Sequence, residues 1–514
     1  MKLFLTTIIT LLAAASAYGL AGGGIFNCGG YPRNADYGRD NPNVAGKELL
    51  FEWREIEPEE GVYNWQLVDD LIKPWADAGK MVALRVMSAC NKKNASPMWV
   101  LEKCGVPVVD SSEFSERDII YPVFWNETFI AKYSDMVRAL AERYDGHPNV
   151  EFVQVGGVGR WEETYVCTES DQMSKHWQEL GYSHDHYIKH CKRMTDVFRR
   201  HFRQTPVLLS ISIGGPDPNT EDRTTIGYEL ADYAVKHGLY LKQNGWGAHY
   251  SYTNHEHFSR IFTALRGKTK RIYEQGVAAT NPWGWEIGTF RSNINRALID
   301  CPDYLWIYEM DLAKPEFASD IDFAAKHLSM NSYRDAGPLY IRFKQFREHY
   351  ENPKYDAVYE GEFYGLVNHY VRHKWPEGSK LEPAVIDGVD CKKTSPEFPY
   401  VHLDLEDSVI IQESGGVNTI RRGSMDIEYW DKGTARVSVE YNWDGSRFTD
   451  SASFAKTNQM RWKKVRVLLE DMRFETRLSV PEKDFRISAS DGDLALERIQ
   501  LKLYGAARTR STNQ

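Results

Sequence analysis

The sequence predicts an α/β fold, a (β/α)8 TIM barrel, followed by a C-terminal antiparallel β-sandwich of jelly-roll type. Three observations predict it. Short apolar runs alternate with amphipathic helical segments from about residue 22 to 310; the alternation occurs eight times; and after Pro383 the pattern changes to period-two alternation. Strands covered by helices on both faces read as continuous apolar runs, as a parallel sheet requires. An open doubly wound sheet is the rival, and it loses because no glycine-rich phosphate loop follows an early strand.

Taken in order, Ile25–Cys28 reads as the first strand and Glu48–Trp53 as the second, ending in Arg54-Glu55-Ile56-Glu57-Pro58. Leu67–Ala78 carries Leu67, Leu71 and Trp75 at helical spacing and stops at Gly79. Met81–Val86 is the third strand. After a long excursion through 88–125, the helix Glu127–Tyr144 shows a stripe of Ile130, Tyr133, Met136, Val137, Leu140 and Ala141. Val150–Val155 is the fourth strand, His186–Phe202 a helix, Val207–Ile213 the fifth strand and Ile226–His237 a helix. Gly245–Tyr250 reads as the sixth strand, His257–Arg266 as a helix and Arg271–Glu274 as the seventh strand. Ile294–Ile299 falls in the next helix, and Tyr304–Tyr308 is the eighth strand. Residues 311–380 read as largely helical and as the barrel's last outer layer, which sets the barrel at residues 18–380. Thr434–Tyr441, Lys464–Leu469 and Arg498–Leu503 alternate with period two between turns such as Asp444-Gly445 and Asp491-Gly492. They place the sandwich at 381–505, with a tail at 506–514.

Composition narrows the function. The chain has 514 residues, enough for two or three domains at roughly 100–200 residues each. Its net charge of −9 disfavours broad attraction to nucleic acid or anionic lipid. Aromatics reach 13%, and Trp and Tyr offer flat apolar faces with a polar edge that suit sugar rings as well as cores. Lys2, the apolar run Leu3–Ala15 and Ala15-Ser16-Ala17 read as a signal peptide over residues 1–17, which implies a secreted or periplasmic protein. No later stretch approaches the ~20 apolar residues of a membrane span. Seven cysteines without a CxxC argue against a disulfide scaffold or a zinc site, although Cys90 and Cys104 bracket a loop they could staple. Asn94-Ala-Ser and Asn126-Glu-Thr fit the glycosylation sequon. No metal cluster, nucleotide loop or Ser-His-Asp pattern stands out, so no cofactor is expected.

In a barrel of this kind the active site lies at the C-terminal ends of the strands. Three such ends carry acids: the fourth runs into Gly156-Gly157-Val158-Gly159-Arg160-Trp161-Glu162-Glu163, the seventh ends in Glu274, and the eighth in Glu309 with Asp311. Each has an ordinary reading as well: Glu274 could cap a helix or pair with Arg271, and Glu309 could serve a loop hydrogen bond. Two carboxyls facing each other across a barrel mouth are what cleavage of a glycosidic bond needs. Arg54 and Arg85 follow strands two and three and suit either a polyhydroxyl or anionic ligand or the role of counter-ion to an active-site Glu. His249 and Tyr252 end the sixth strand. Trp283 and Trp285 form an aromatic platform after the seventh or else pack in the core.

The run Phe51-Glu-Trp-Arg-Glu-Ile-Glu-Pro-Glu-Glu-Gly-Val-Tyr-Asn-Trp65 resembles the second strand and helix start of clan A glycoside hydrolases, in particular the family 42 β-galactosidases. The segment Ala141–Val150 is similarly like the approach to strand four in those enzymes. The resemblance covers roughly residues 22–312. It implies an acid/base Glu after strand four and a nucleophile Glu after strand seven, where Glu274 stands. The usual Asn-Glu pair would fall near Gly157-Val158, so the first position departs from the pattern. Gly159-Arg160-Trp161-Glu162-Glu163 is similar to a Gly-x-Trp-Gly-Glu run in related barrels, which makes Glu163 the acid/base candidate and Glu162 the runner-up, with Trp161 beside them. The reading is a secreted glycoside hydrolase acting on β-linked sugars, galactosides or galactose-containing polysaccharide, by a two-carboxylate, retaining mechanism. Its partner is then an oligo- or polysaccharide. The rivals are a lapsed barrel that binds carbohydrate and, disfavoured by the barrel motifs, a polysaccharide lyase.

Overall fold

A computed structural model describes residues 23–29, 36–211, 220–246, 268–275, 302–328, 339–343, 362–364, 366–367, 381–405, 422–442, 448–470 and 485–504, with isolated positions 265, 290, 294, 297 and 298. In chain order the first strands are β1 (Gly24–Cys28), β2 (Val44–Glu52), β3 (Met81–Met87), a small hairpin of β4 (Val108–Asp110) and β5 (Ile120–Pro122), and β6 (Val150–Gln154). β7 (Val207–Ile211), β8 (Tyr240–Trp246), β9 (Arg271–Gln275) and β10 (Tyr304–Tyr308) follow. The helices are α1 (Trp53–Ile56), α2 (Trp65–Asp77), α3 (Glu127–Tyr144), α4 (Asp171–Glu179), α5 (His184–His201), α6 (Thr220–Lys236), α7 (Glu309–Leu312) and α8 (Ala318–His327). Eight parallel strands close in the order β1-β10-β9-β8-β7-β6-β3-β2, a (β/α)8 barrel.

Side chains alternate inward and outward along each strand. The lower interior is apolar: Phe26, Phe152 and Trp306 stack with centroids 5.5, 5.8 and 6.1 Å apart, joined by Ala83, Leu208, Ile272 and Tyr304. Gly46 of β2 makes room for this plug, since a Cβ there would lie 2.7 Å from the Phe26 ring and 2.4 Å from the Met81 carbonyl oxygen. Two residues further along the strands, the inward positions become polar, and that layer holds the site described below.

Helix α3 lies where its apolar stripe predicts, and it starts cleanly because the Asn126 side chain accepts hydrogen bonds from the Thr128 and Phe129 N–H groups. In the Phe51–Trp65 run, the Glu57 carboxylate accepts from the Trp53 indole (2.8 Å) and the Gly61 N–H (2.9 Å), and Tyr63 stacks on Trp65 at 4.9 Å. That run is therefore a structural clasp between β2 and α2.

The sixth strand is the main departure within the barrel: it spans Tyr240–Trp246, not Gly245–Tyr250. Its inward Lys242 breaks the apolar run on which the expectation rested. Trp53 opens α1 instead of ending β2. Of the helix expected at Ile294–Ile299, Ile294, Ala297 and Leu298 are helical and buried. The helix expected at His257–Arg266 falls outside the described residues, apart from Leu265. The signal-peptide segment and the 506–514 tail also lie outside them.

The chain divides into two compact units, the second holding the residues from 330 onward. The helical continuation expected over 311–380 holds for α8. It fails for β11 (Leu339–Arg342), which pairs antiparallel with the last strand of the second unit through Leu339↔Leu501 and Ile341↔Ile499. β12 (Glu362–Tyr364) and β13 (Leu366–Val367) also join the sheets of that unit, as do β14 (Glu382–Ile386), β15 (Val389–Lys393), β16 (Tyr400–Leu405), β17 (Arg422–Trp430), β18 (Arg436–Asn442), β19 (Phe448–Ala455), β20 (Trp462–Leu469), β21 (Phe485–Ala489) and β22 (Ala495–Tyr504). These strands form antiparallel sheets of seven and five strands, a β-sandwich. Met425, Ile427 and Tyr429 on one sheet and Val437, Val439 and Tyr441 on the other supply the buried faces.

Candidate active site

Glu274 occupies the inward position of β9 directly after Ile272, so the strand's alternation carries it into the polar layer above the apolar plug. On the adjacent strand β8, the Lys242 ammonium sits against its Oε2. β3 lies diametrically across the barrel, four strands away in either direction. From it Arg85 reaches over, with Nη2 3.0 Å from Glu274 Oε2. The same guanidinium donates through Nε to Glu48 Oε1 of β2 at 2.6 Å, and the Cys28 thiol of β1 donates to Glu274 Oε1 at 3.4 Å. All five groups are buried. Burial works to raise the Glu274 pKa, but Arg85, Lys242 and the hydrogen bonds from Lys242 and Cys28 outweigh it and hold the carboxyl below the usual range. Glu48 goes the other way, raised by burial against the pull of Arg85. Burial, then the charges of Glu274 and Glu48, push the Cys28 thiol well up, so it stays a neutral donor.

The loop after β6 is built under backbone strain. Gly157 and Gly159 have φ of 72° and 149°, and Trp161, Glu162 and Thr164 take φ of 56°, 56° and 51°, left-handed values that cost L-residues free energy. Packing over-determines the conformation. Gly156 lies beneath the Tyr133 hydroxyl, which donates to the Val86 carbonyl at 2.6 Å. Trp161 packs on Leu50, Met87, Cys90 and Ala95. The Thr164 hydroxyl donates to the Ser210 carbonyl of β7 at 2.8 Å.

Glu162, fully buried, anchors this loop: Oε1 accepts from the Ser88 N–H (2.5 Å) and hydroxyl (2.7 Å), and Oε2 from the Val158 N–H (3.0 Å). Burial pushes its pKa to about 7 in spite of those donors. The anchor leaves the next residue facing the cluster. Glu163 keeps 19% of its side chain exposed and places Oε1 3.7 Å from Arg85 Nη1, while the same nitrogen donates to the Trp161 carbonyl at 3.0 Å. Burial and then the Glu274 charge push the Glu163 pKa to about 7, with Lys242 and Arg85 pulling it down.

Of the sequence candidates, the structure thus gathers Glu163, Glu274 and Arg85, with Glu162 and Trp161 supporting from behind. Glu274 pairs with Arg85 and Lys242, whereas Arg271 faces Asp303 at 3.8 Å. Arg54 does not join the cluster; its guanidinium is spent on Glu52 at 2.7 Å. Glu309 is buried 4.0 Å from Lys47, and Asp311 accepts from Gln275 at 2.7 Å. His249, Tyr252, Trp283 and Trp285 lie outside the described residues. Cys90 and Cys104 are free thiols. Sequence reasoning passed over Lys242, Glu48 and Cys28; the signal was a charged or polar residue at an inward position of an otherwise apolar strand. Cys28 Sγ and oxygens of Glu48 and Glu274 lie within 4.8 Å of one another. Arg85 and Lys242 already supply the positive charge there, so this donor set does not fit a metal centre.

The family model for glycoside hydrolase family 42, described as beta-galactosidase, matches residues 48–195. Over those residues the chain is similar to family 42 of the glycoside hydrolases. The matched stretch carries Glu48, Arg85, Glu162 and Glu163 and ends before Lys242 and Glu274. Residues of this chain are 29% identical over 111 positions to the beta-galactosidase BgaB of Geobacillus sp. (strain Y412MC61), covering 21% of this chain and 16% of that protein. The chain thus spans about a sixth of the length of the curated relatives it matches. Among solved structures, the catalytic domain of beta-amylase from Paenibacillus polymyxa aligns with 10% identity and a TM-score of 0.45, over 60% of this chain and 97% of that one. The beta-galactosidase of the psychrophilic Marinomonas ef1 aligns with 12% identity and a TM-score of 0.39, over 59% of each.

Proposed function

We propose that the protein hydrolyses β-linked glycosides, galactosides or galactose-containing polysaccharide first among them, with retention of configuration. The observation that carries this reading is the Arg85 guanidinium, which lies 3.7 Å from the Glu163 carboxylate and 3.0 Å from that of Glu274, so that both acids converge on one cation, as a pair acting on one glycosidic bond must. Their environments divide the roles. Glu274, held ionised by two cations, is the nucleophile; Glu163, with its pKa near neutrality, is the acid/base.

In the first step Glu163 gives its proton to the leaving oxygen as the Glu274 carboxylate attacks the anomeric carbon, forming a glycosyl ester and breaking the glycosidic bond. Glu163 then takes a proton from water as that water displaces Glu274 from the sugar, returning both groups to their starting state. Galactose is proposed because the relatives that match by sequence are named beta-galactosidases. The residue 1–17 segment supports export, and a mature N-terminus at Tyr18 is expected from N-terminal sequencing of the secreted product.

The test is a panel of aryl β-glycosides and galactose-containing polysaccharides, with the anomer first released followed by NMR. Turnover with retention supports the reading, and full turnover by Glu274→Gln removes the assignment. The absence of an Asn-Glu pair at Gly157-Val158 favours a second reading, a barrel that binds carbohydrate without cleaving it. Saturable affinity for a polysaccharide with no released reducing ends supports that reading instead.

A further inference from the structure

Besides Arg85, two buried charges beside Glu274 take no part in the proposed bond-making steps, Lys242 and Glu48. We infer, resting on the hydrolytic reading above, that Lys242 is a positioning residue that fixes the Glu274 carboxylate from its own side of the barrel, and that Glu48 is its counterweight. Lys242 is fully buried on the strand next to Glu274, with its ammonium on Glu274 Oε2, 4.0 Å from Glu48 Oε1 and 4.9 Å above the Trp306 ring. Arg85 fixes Glu274 from the opposite wall, so the carboxylate is clamped between a cation from each half of the barrel. Glu48 touches both cations and draws each of them partly away from Glu274.

The count of charges gives this arrangement a consequence for the reaction. Arg85 and Lys242 balance Glu48 and Glu274, and Glu163, the third carboxyl, reaches only Arg85, at 3.7 Å, with its pKa pushed up to about 7 by burial and the Glu274 charge. Among the described residues, the titratable groups around Glu274 are Cys28 from β1, Glu48 from β2, Arg85 from β3, Glu163 from the loop after β6, Lys242 from β8 and Tyr308 from β10. Removing either Lys242 or Glu48 therefore changes the field at Glu274, and in opposite directions. A lysine that merely filled space would change stability and leave that field as it was.

The experiment compares Lys242→Gln, Lys242→Arg and Glu48→Gln with the natural protein. The acidic limb of the kcat/KM profile, which reports the nucleophile, is expected to move up by about 1–3 pH units in Lys242→Gln, an opposite charge at this distance having an effect of that size. It should return toward its place in Lys242→Arg and move down in Glu48→Gln. A limb that stays put, or moves the same way in both Gln variants, overturns the inference. If no glycoside is turned over, the hydrolytic reading fails separately, and the same signs are read on the folded protein by NMR titration of 13C-labelled Glu carboxyls, with Glu274 assigned by its loss in Glu274→Gln. If Lys242→Gln does not fold, Glu48→Gln decides: a Glu274 midpoint that is unmoved or raised overturns the inference.

Discussion

Replacing Arg85 with Met removes a buried cation and leaves its carboxylate partners in place. Arg85 is 2% exposed and holds Glu48 at 2.6 Å and Glu274 at 3.0 Å. Lys242 still covers Glu274, so the uncompensated charge falls mainly on Glu48, whose other cation among the described residues is at 4.0 Å. Breaking one side of a buried ion pair costs about 3–5 kcal/mol. At ~2–4 °C per kcal/mol for a large domain, the barrel transition should fall by about 6–20 °C. The sign of the pH dependence follows from the same charge. The stranded carboxyl of the variant has a folded pKa above its unfolded value of about 4.3, so between those values the folded state binds more protons than the unfolded one. Stability then decreases as pH rises through that window, and the deficit should shrink at pH 5 and below. Thermal unfolding followed by near-UV circular dichroism from pH 4.5 to 8 measures both. An Arg85→Met barrel within 1 kcal/mol of the natural protein at pH 7, with the same slope against pH, would refute the view of Arg85 as the tie between the two walls.

Three further outcomes are expected. If Glu163 is the proton donor, kcat/KM should fall above about pH 7, and Glu163→Gln should lose that alkaline limb along with turnover of substrates with poor leaving groups. Gly156→Ala places a Cβ 2.0 Å from the Tyr133 hydroxyl and 2.9 Å from the Val86 carbonyl oxygen. The overpacking should cost about 1–3 kcal/mol in urea unfolding and lower kcat by displacing the Glu163 loop. In the sandwich, Asp431 accepts from the Thr457 N–H and hydroxyl and from the Gln459 N–H; although burial works to raise its pKa, those bonds hold it at about 2. Its contribution is present above about pH 4 and lost as pH falls through 2, so Asp431→Asn should flatten the acid end of the sandwich's stability curve.

The barrel was legible because seven of its strands read as apolar runs of the right length and spacing, and Glu274 because it directly follows one of them. Lys242 was not, for the reason that makes it interesting. An inward lysine neutralised by an acid from the next strand looks, in one dimension, like the end of a strand, and the expected strand slid to Gly245–Tyr250. The division of labour between Glu162 and Glu163 was hidden for a different reason. It depends on Ser88, 74 positions away from Glu162, and on a left-handed backbone at Trp161 and Glu162 that local propensity argues against. Leu339–Arg342 misled because it is short and its partner strand lies at the far end of the chain.

The four central charges divide between the two halves of the barrel. Glu48 and Arg85 come from neighbouring strands of the first half, Lys242 and Glu274 from neighbouring strands of the second. Each half therefore carries its own couple of opposite charges, Glu48 with Arg85 and Glu274 with Lys242. The contacts between the halves, Arg85 to Glu274 and Lys242 to Glu48, join opposite parts of the ring, so the four-charge cluster is complete only in the closed cylinder.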